Sequence, residues 1–511
     1  MHIELKFRIA AEDVPAFRRY PLLKSYMTSR ARTYQRTCVY FDTPDFQLNR
    51  HHVTLQVARA GTGWRQTLTT NHGYGDSRSG REWGVDVTGA NLNVSALAQL
   101  FEQDPEFMHA RFDAPLPSGL IPIFTSTSRR SIWQLDFGHG QAAELSMEHG
   151  DVRSAQRQVS VCDLILAHHC GATDAFFEFA LTLVRDFKLR LAFQNQADIG
   201  YALHDIYTFN AMTAKRIVLM PDINIEEGMR IIIRNCLSQI VGNAAGASIV
   251  ADLECIHQMR VGLRRLRSAI EIFEPIVPCP ERIQTDLAWL STELGEARDW
   301  DILDASTVPS ITGCRSDIDD MDVLQKKVHH EAARKHRKVH VALNSTRSAR
   351  LWVMLKQWAS QLGDAPVTAT ALRDFARENL SRRHKKILKR CDVIEISAPT
   401  SRHRVRIACK SLRYATEFFI SYYPRKSVNV FLARLTELQD TLGASNDATV
   451  AGRLLNTLAE KYPELSGACS YLMGYIAAQD DHRLLEFGRQ IRCFSTLKKL
   501  AMRNGKRNGK H

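Results

Sequence analysis

Two segments of this chain, HQMRVGLRRLRSAIEIFE (residues 257–274) and HRVRIACKSLRYATEFF (residues 403–419), share one skeleton. His257, Arg260, Arg264, Arg267 and Glu271 of the first correspond to His403, Arg406, Lys410, Arg413 and Glu417 of the second, at identical offsets. At about 100° per residue, each set falls within an arc of roughly 80° of a helix. Each copy is therefore one helix face. A second pair of elements follows at distances that agree within two residues, LGEARDWD (residues 294–301) and LGASNDAT (residues 442–449). Such a repeat predicts a duplicated helical region, with roughly four helices per copy packed as paired bundles.

The cations of one stripe repel each other, and a glutamate one turn on offsets only part of that. An external anion is the simplest compensation. A lone basic helix face is commonly just solvated, but the same spacing twice favours a function. Gly295 and Gly443 read as close packing or helix ends, and Asp299 and Asp447 as partners that hold the arginines. The whole chain leans the same way. Its 68 Lys and Arg outnumber 55 Asp and Glu, giving +13 and a pI near 9.3. That balance favours nucleic acid, an anionic membrane surface or a phosphate polymer as partner.

The duplicated region occupies only part of the 511 residues. Residues 1–210 are patterned differently. In HHVTLQVAR, Val53, Leu55 and Val57 alternate with His52, Thr54 and Gln56, and a glycine turn leads into GWRQTLTT, as in a hairpin. Further alternating runs suggest a barrel or sandwich. After a linker at 211–224, helical periodicity runs through residues 225–500, and a basic tail, 501–511, reads as disordered. The 11 cysteines include no Cys-x-x-Cys pair, which argues for reduced thiols and against a zinc ribbon. The charged N-terminus does not read as a signal peptide, and no apolar run is long enough to span a bilayer. A cytoplasmic protein is the expectation.

The paired stripes with their Leu-Gly and Asp elements resemble the two halves of a CHAD domain, the conserved histidine α-helical domain. The resemblance implies an all-α domain of two four-helix bundles whose basic surface binds inorganic polyphosphate. It carries that role to His257, Arg260, Arg264, Arg265, Arg267, His403, Arg406, Lys410 and Arg413. The basic segment around Arg382, Arg383 and Lys386 extends the anion-binding surface. Lys410 stands where the first copy has Arg264, keeping the charge but losing the bidentate fork.

Residues 1–205 resemble the CYTH domain, a triphosphate tunnel metalloenzyme. The resemblance implies a closed antiparallel β-barrel, with tunnel cations that cradle a triphosphate and glutamates that hold Mg²⁺ or Mn²⁺. The expected fold class is thus α+β, a barrel followed by an all-α domain. Several family positions depart from the pattern. The opening Glu-x-Glu-x-Lys is His2, Glu4 and Lys6. The usual Arg-x-Arg is Gln56 and Ala58, with Arg59 at the wrong parity. The closing lysine of the next strand is Thr69. Phe124, Thr127, Arg130 and Trp133 survive. The late acidic strand reads Asp163, Ile165, Ala167, and Gln196 and Ile199 replace two cations before Gly200 and Tyr201. Cations and metal-holding acids are lost together, so a degenerate triphosphatase is expected. Glu4, Lys6 and Arg130 remain as residual site residues, and Glu4 and Glu82 as the only metal candidates.

The expected function is polyphosphate binding, with association with polyphosphate granules and only non-specific affinity for nucleic acid. The alternative is an active metal-dependent inorganic triphosphatase that uses the helical domain to hold its substrate. His329, His330, His336 and His340 sit in a lysine-rich segment without an acid cluster, and they read as a solvated face.

Overall fold

A computed structural model describes the chain except residues 1–2, 61–62, 71–80, 103–118, 207–208, 313–319, 363–370, 498 and 503–511. His2 and the tail from residue 503 lie outside the described residues. By its contacts the chain divides into two units. The first comprises residues 1–212, 241–255 and 341–357, and the second residues 213–240, 256–340 and 358–511.

The first unit is built on one antiparallel sheet of nine strands: β1 (Ile3–Arg8), β2 (Arg32–Asp42), β3 (Val53–Ala60), β4 (Gly63–Thr70), β5 (Glu82–Val87), β6 (Ile121–Asp136), β7 (Ala142–Arg153), β8 (Gln158–Cys170) and β9 (Arg190–Leu191). Their order is β5-β4-β3-β2-β6-β7-β8-β1-β9. The expected closed barrel is instead an open sheet, because β5 and β9 do not pair with each other among the described residues. A closing seam needs two edges bonded along their length, and β9 contributes only two residues.

Alternation sorts the side chains of this sheet onto two faces. In β1, Ile3, Leu5 and Phe7 are buried while Glu4, Lys6 and Arg8 are half-buried. The apolar face packs under α1 (Asp174–Asp186), joining Trp133, Met147, Phe176, Phe177 and Leu183. A second apolar cluster on the β3–β5 side gathers Leu55, Val57, Leu68, Trp83 and Leu97. Each fully buried side chain of this size contributes roughly 1.5–3 kcal/mol by leaving water. On the opposite face, α2 (Gln196–Ala202) starts from an Asn195/Asp198 capping box. An added Cβ on Gly200 would overlap the Phe124 ring, at 2.0 Å, so glycine is what lets α2 lie on β6.

The rest of the chain is helical: α3 (Ile225–Ile249), α4 (Leu253–Phe273), α5 (Glu281–Ile302), α6 (Met321–Leu343), α7 (Thr346–Gln361), α8 (Leu372–Asp392), α9 (Pro399–Phe418), α10 (Arg425–Lys461) and α11 (Ser466–Ser495). In α4, Ile256, Met259, Leu263, Leu266, Ile270 and Phe273 are buried at a helical repeat. Each precedes a stripe position or its continuation by one residue, so the apolar face lies about 100° from the cationic one. At Gly262 an added Cβ would meet Ile240 at 2.7 Å, so this glycine allows α4 to pack closely on α3. In α9, Val405, Ala408, Cys409, Leu412 and Ala415 serve the same purpose. Successive helices α8 to α11 pack on one another in turn. No helix among the described residues is long and apolar enough to cross a membrane.

Candidate functional site

The two stripes occupy α4 and α9, and their cations converge. Lys410 feels the charges of Arg260 and Arg264 from α4 as well as that of Arg406 on its own helix. Two aspartates enter the same cluster, Asp299 from α5 and Asp447 from α10. Arg260 Nη1 donates to the Gly295 carbonyl at 3.0 Å and to Asp299 Oδ1 at 3.2 Å. Arg406 Nη1 donates to Asn446 Oδ1 at 3.0 Å, one residue before Asp447. The duplicated Leu-Gly…Asp element thus lies against the second position of each stripe, but only Asp299 holds its arginine as the sequence suggested; in the second copy Asn446 takes that place and bonds Asp447 in turn. Gly295 and Gly443 correct the other half of that expectation. Both lie inside long helices, and an added Cβ on either would meet nothing within 4 Å.

Arg264 and Lys410, the equivalent third positions, differ from their neighbours. Both are half-buried, and neither makes a hydrogen bond or ion pair with any described residue. Burial pulls the Arg264 guanidinium below its ordinary value, and Arg260 and Arg413 add repulsion. Burial also lowers Arg406, with Arg264 and Arg260 adding to it against Asp447. The effect is largest at Lys410. Desolvation first, then Arg264, Arg406 and Arg260, bring its ammonium down to about 7. Burial raises the Asp299 carboxyl in turn, while Arg260 holds it down.

Other stripe members are placed differently. Arg413 donates to Glu417 Oε1 at 2.8 Å and to Gln439 Oε1 at 3.1 Å. Arg267 and His403 are exposed, and His257 is half-buried. Arg265 must be removed from the surface. It is 3% exposed, donates to Gln239 Oε1 and Asn235 Oδ1, both at 2.8 Å, and lies over the Phe418 ring. It ties α4 to α3. In the adjoining basic segment, Arg382 and Lys386 are exposed, but Arg383 is engaged by Asn379, Glu271 and Ser411. The glutamate ending the first stripe therefore serves a cation on α8, whereas Glu417 serves its own stripe. On α6, His329, His330 and His340 are exposed as expected of a solvated face, but His336 is half-buried and two of the histidines meet acids that the sequence did not place near them. His336 Nε2 sits 2.6 Å from Asp301 Oδ1, and His329 Nδ1 sits 2.9 Å from Asp304 Oδ2.

The polar face of the sheet forms the second candidate site. Strand pairing sets Arg8 beside Asp163, then Glu148, then Arg130, and Lys6 beside Ile165 and Ser146. Here the cations are matched. Asp163 meets Lys6 at 3.4 Å and Arg8 at 3.2 Å. Glu148 meets Arg36 at 3.5 Å and accepts from Gln196 at 3.2 Å. Glu144 lies 4.0 Å from Arg130 and accepts from Gln134 at 3.0 Å. Arg8, Arg36, Glu144 and Glu148 were not singled out from sequence. Arg8 was legible by parity with Lys6, whereas Arg36 lies in the first, largely exposed half of β2, which carries no alternation of apolar residues to mark it as strand. Part of this face is apolar: Ile199 packs with Cys38, Tyr40, Ala58, Phe124, Val152 and Val161. Glu82 is exposed on β5, far from Glu4 in the strand order.

Two domain families match this chain. The CHAD domain family matches residues 231–456, and the CYTH domain family residues 1–166. The CHAD domain of the plant Ricinus communis is 34% identical, with a TM-score of 0.53, over 58% of this chain and all of the plant one. The chain belongs to the CHAD family, with a CYTH domain ahead of it. PptA from Streptomyces chartreusis is 14% identical over 53% of this chain and 99% of its own, at a TM-score of 0.42. HpAC1 from Hippeastrum, of dominant triphosphatase activity, is 11% identical over 40% of this chain and 96% of its own, at 0.29.

CYTH enzymes depend on a divalent metal, which would need a group of free carboxylate or imidazole donors. Asp163, Glu148 and Glu144 each face a cation, and among the described residues no three His, Cys, Asp or Glu side chains gather as ligands. Asp163, Glu148 and Glu144 are arranged as partners for arginine and lysine, and these three do not fit a metal centre.

Proposed function

We propose that this protein binds inorganic polyphosphate where the α4 and α9 stripes of its CHAD domain converge, and that its CYTH domain no longer hydrolyses triphosphate. One observation carries the first half. Arg264 and Lys410, equivalent residues of the two copies, are half-buried cations that lack any acceptor among the described residues. An unpaired half-buried charge is costly unless it sheds its proton, which arginine does not do, so Arg264 above all gains from an external anion, and Lys410 beside it gains when protonated. A phosphate chain offers one negative charge per repeat, enough to serve both copies at once. Arg260 and Arg406, held by Gly295, Asp299 and Asn446, are preorganised at its flanks. Arg267, Arg413, His257 and His403 extend the contact, and Arg382 and Lys386 form a secondary surface. Granule association in the cell follows from this reading.

The second half rests on the pairing of Lys6, Arg8, Arg36 and Arg130 with carboxylates and on the apolar packing around Ile199. A triphosphate would have to displace those internal partners, and the partners are not free to hold Mg²⁺ or Mn²⁺.

The test uses the full chain on immobilised long-chain polyphosphate. Wild type is retained, and retention weakens steeply with salt through counterion release. Replacing Arg260, Arg264, Arg406 and Lys410 by alanine abolishes retention while the melting temperature stays near that of wild type. Persistent retention by that variant moves the site elsewhere. Polyphosphate should displace DNA at far lower phosphate concentration than the reverse. Tripolyphosphate with Mg²⁺ or Mn²⁺ should release no phosphate above the blank. Release that the Glu4→Ala, Lys6→Ala double change removes overturns the reading of the CYTH domain.

A further inference from the structure

Lys410 is where the two copies of the repeat differ in chemistry at a matched position. Its counterpart Arg264 stays charged at any pH a protein tolerates. A lysine is the one cation in the cluster that can shed its proton. The charged groups that act on it most strongly are Arg264 and Arg260 from α4, Arg406 from the preceding turn of α9, and Asp447, which opposes them from α10. Asp299 of α5 is already claimed by Arg260 at 3.2 Å. On α8, Arg383 bonds Ser411, next to Lys410, and adds no acceptor. Three cations against one carboxylate, in a half-buried site, push the proton off.

We propose, resting on the polyphosphate reading, that Lys410 takes up a proton when a phosphate chain binds, so that the grip is coupled to pH. The anion reverses the local balance. Its charge replaces the missing acceptors of Arg264 and Lys410, and the ammonium becomes the favoured form. The net step is free site plus chain plus one solvent proton going to a complex with protonated Lys410. With the free amine near 7, the cluster is ready to bind below neutrality and must acquire the proton above it. The apparent dissociation constant then rises about tenfold for each pH unit above about 7, until the bound-state value is reached.

The experiment is calorimetric titration of the full chain with long-chain polyphosphate, in which terminal phosphates are few, in pairs of buffers that differ in ionisation enthalpy. Wild type should take up close to one proton per site about one unit above neutrality and show the tenfold slope. Lys410→Arg should bind on both sides of neutrality without proton uptake or slope. Lys410→Gln serves as a second variant: it should bind weakly at every pH, again without slope. The stripe histidines are the competing source, so a His257→Gln, His403→Gln double variant should keep the slope above neutrality. An unchanged slope in Lys410→Arg, or no proton uptake by wild type that does bind, overturns the coupling. Absence of binding by wild type at any pH overturns the polyphosphate reading itself.

Discussion

The polar face of the CYTH sheet and the converged stripes of the CHAD domain are both rich in lysine and arginine, yet their cations are partnered differently. On the sheet, Asp163 serves Lys6 and Arg8, Glu148 serves Arg36, and Glu144 stands by Arg130. In the stripes, Arg260 and Arg413 have carboxylate partners, but Arg264 and Lys410 have none among the described residues. The number of cations does not separate the regions. What separates them is whether the fold has already supplied the negative charge. A cation that is paired inside must lose its partner before it can hold a ligand, and that exchange gains little. A half-buried cation with no acceptor gains the whole interaction.

The sharpest way to break this comparison is inside the stripes, because paired and unpaired cations stand on the same helices. Arg264→Ala and Lys410→Ala should each weaken polyphosphate binding by about 10- to 100-fold, the loss of one or two charge-assisted bonds. Arg413→Ala should weaken it only a few-fold, since its guanidinium is already shared by Glu417 and Gln439. Dissociation constants measured at one salt concentration decide the matter. Equal losses at all three positions would mean that pairing is irrelevant and only total charge counts.

The same logic runs in reverse on the sheet. Asp163 is 3% exposed and holds two cations. Asp163→Asn should leave Lys6 and Arg8 uncompensated and destabilise the protein by about 2–3 kcal/mol, less than a fully buried pair because Arg8 reaches solvent. It should also create a site that tripolyphosphate stabilises, read as a larger rise in melting temperature for the variant than for wild type. If the variant melts like wild type and tripolyphosphate shifts neither, the internal pairing does not explain the difference between the regions.

These distinctions were only partly written in the sequence. The stripes were legible because helical spacing is a strict geometric code, and the duplicated offsets left one face per helix. The same arithmetic excludes Arg265, which lies about 120° from the stripe centre, and its inclusion followed its neighbours rather than its angle. That the two stripes face each other was not legible, since spacing along a helix says nothing of which helix lies opposite. The partners of the sheet cations were hidden for a related reason. Asp163 and Arg8 are 155 residues apart and meet only through the β1–β8 register. Closure of the barrel was overestimated because strand count was visible and the two-residue length of β9 was not.

The smallest effect tests whether the open space beside the stripes is used. Gly295 and Gly443 sit inside α5 and α10, where glycine costs up to about 1 kcal/mol relative to alanine. Neither is required by packing, for an added Cβ meets nothing within 4 Å. Nor does φ explain them, since neither is among the positive-φ glycines. The Gly295 carbonyl is the one that accepts from Arg260, so this stretch of α5 lies against the cluster. If that space admits the phosphate chain, Gly295→Ala should raise the stability of the free protein by about 0.5–1 kcal/mol, measured by denaturant melts, and weaken polyphosphate binding several-fold. Stabilisation with unchanged affinity would reduce these glycines to a shared relic of the duplication and confine the ligand to the side-chain tips of α4 and α9.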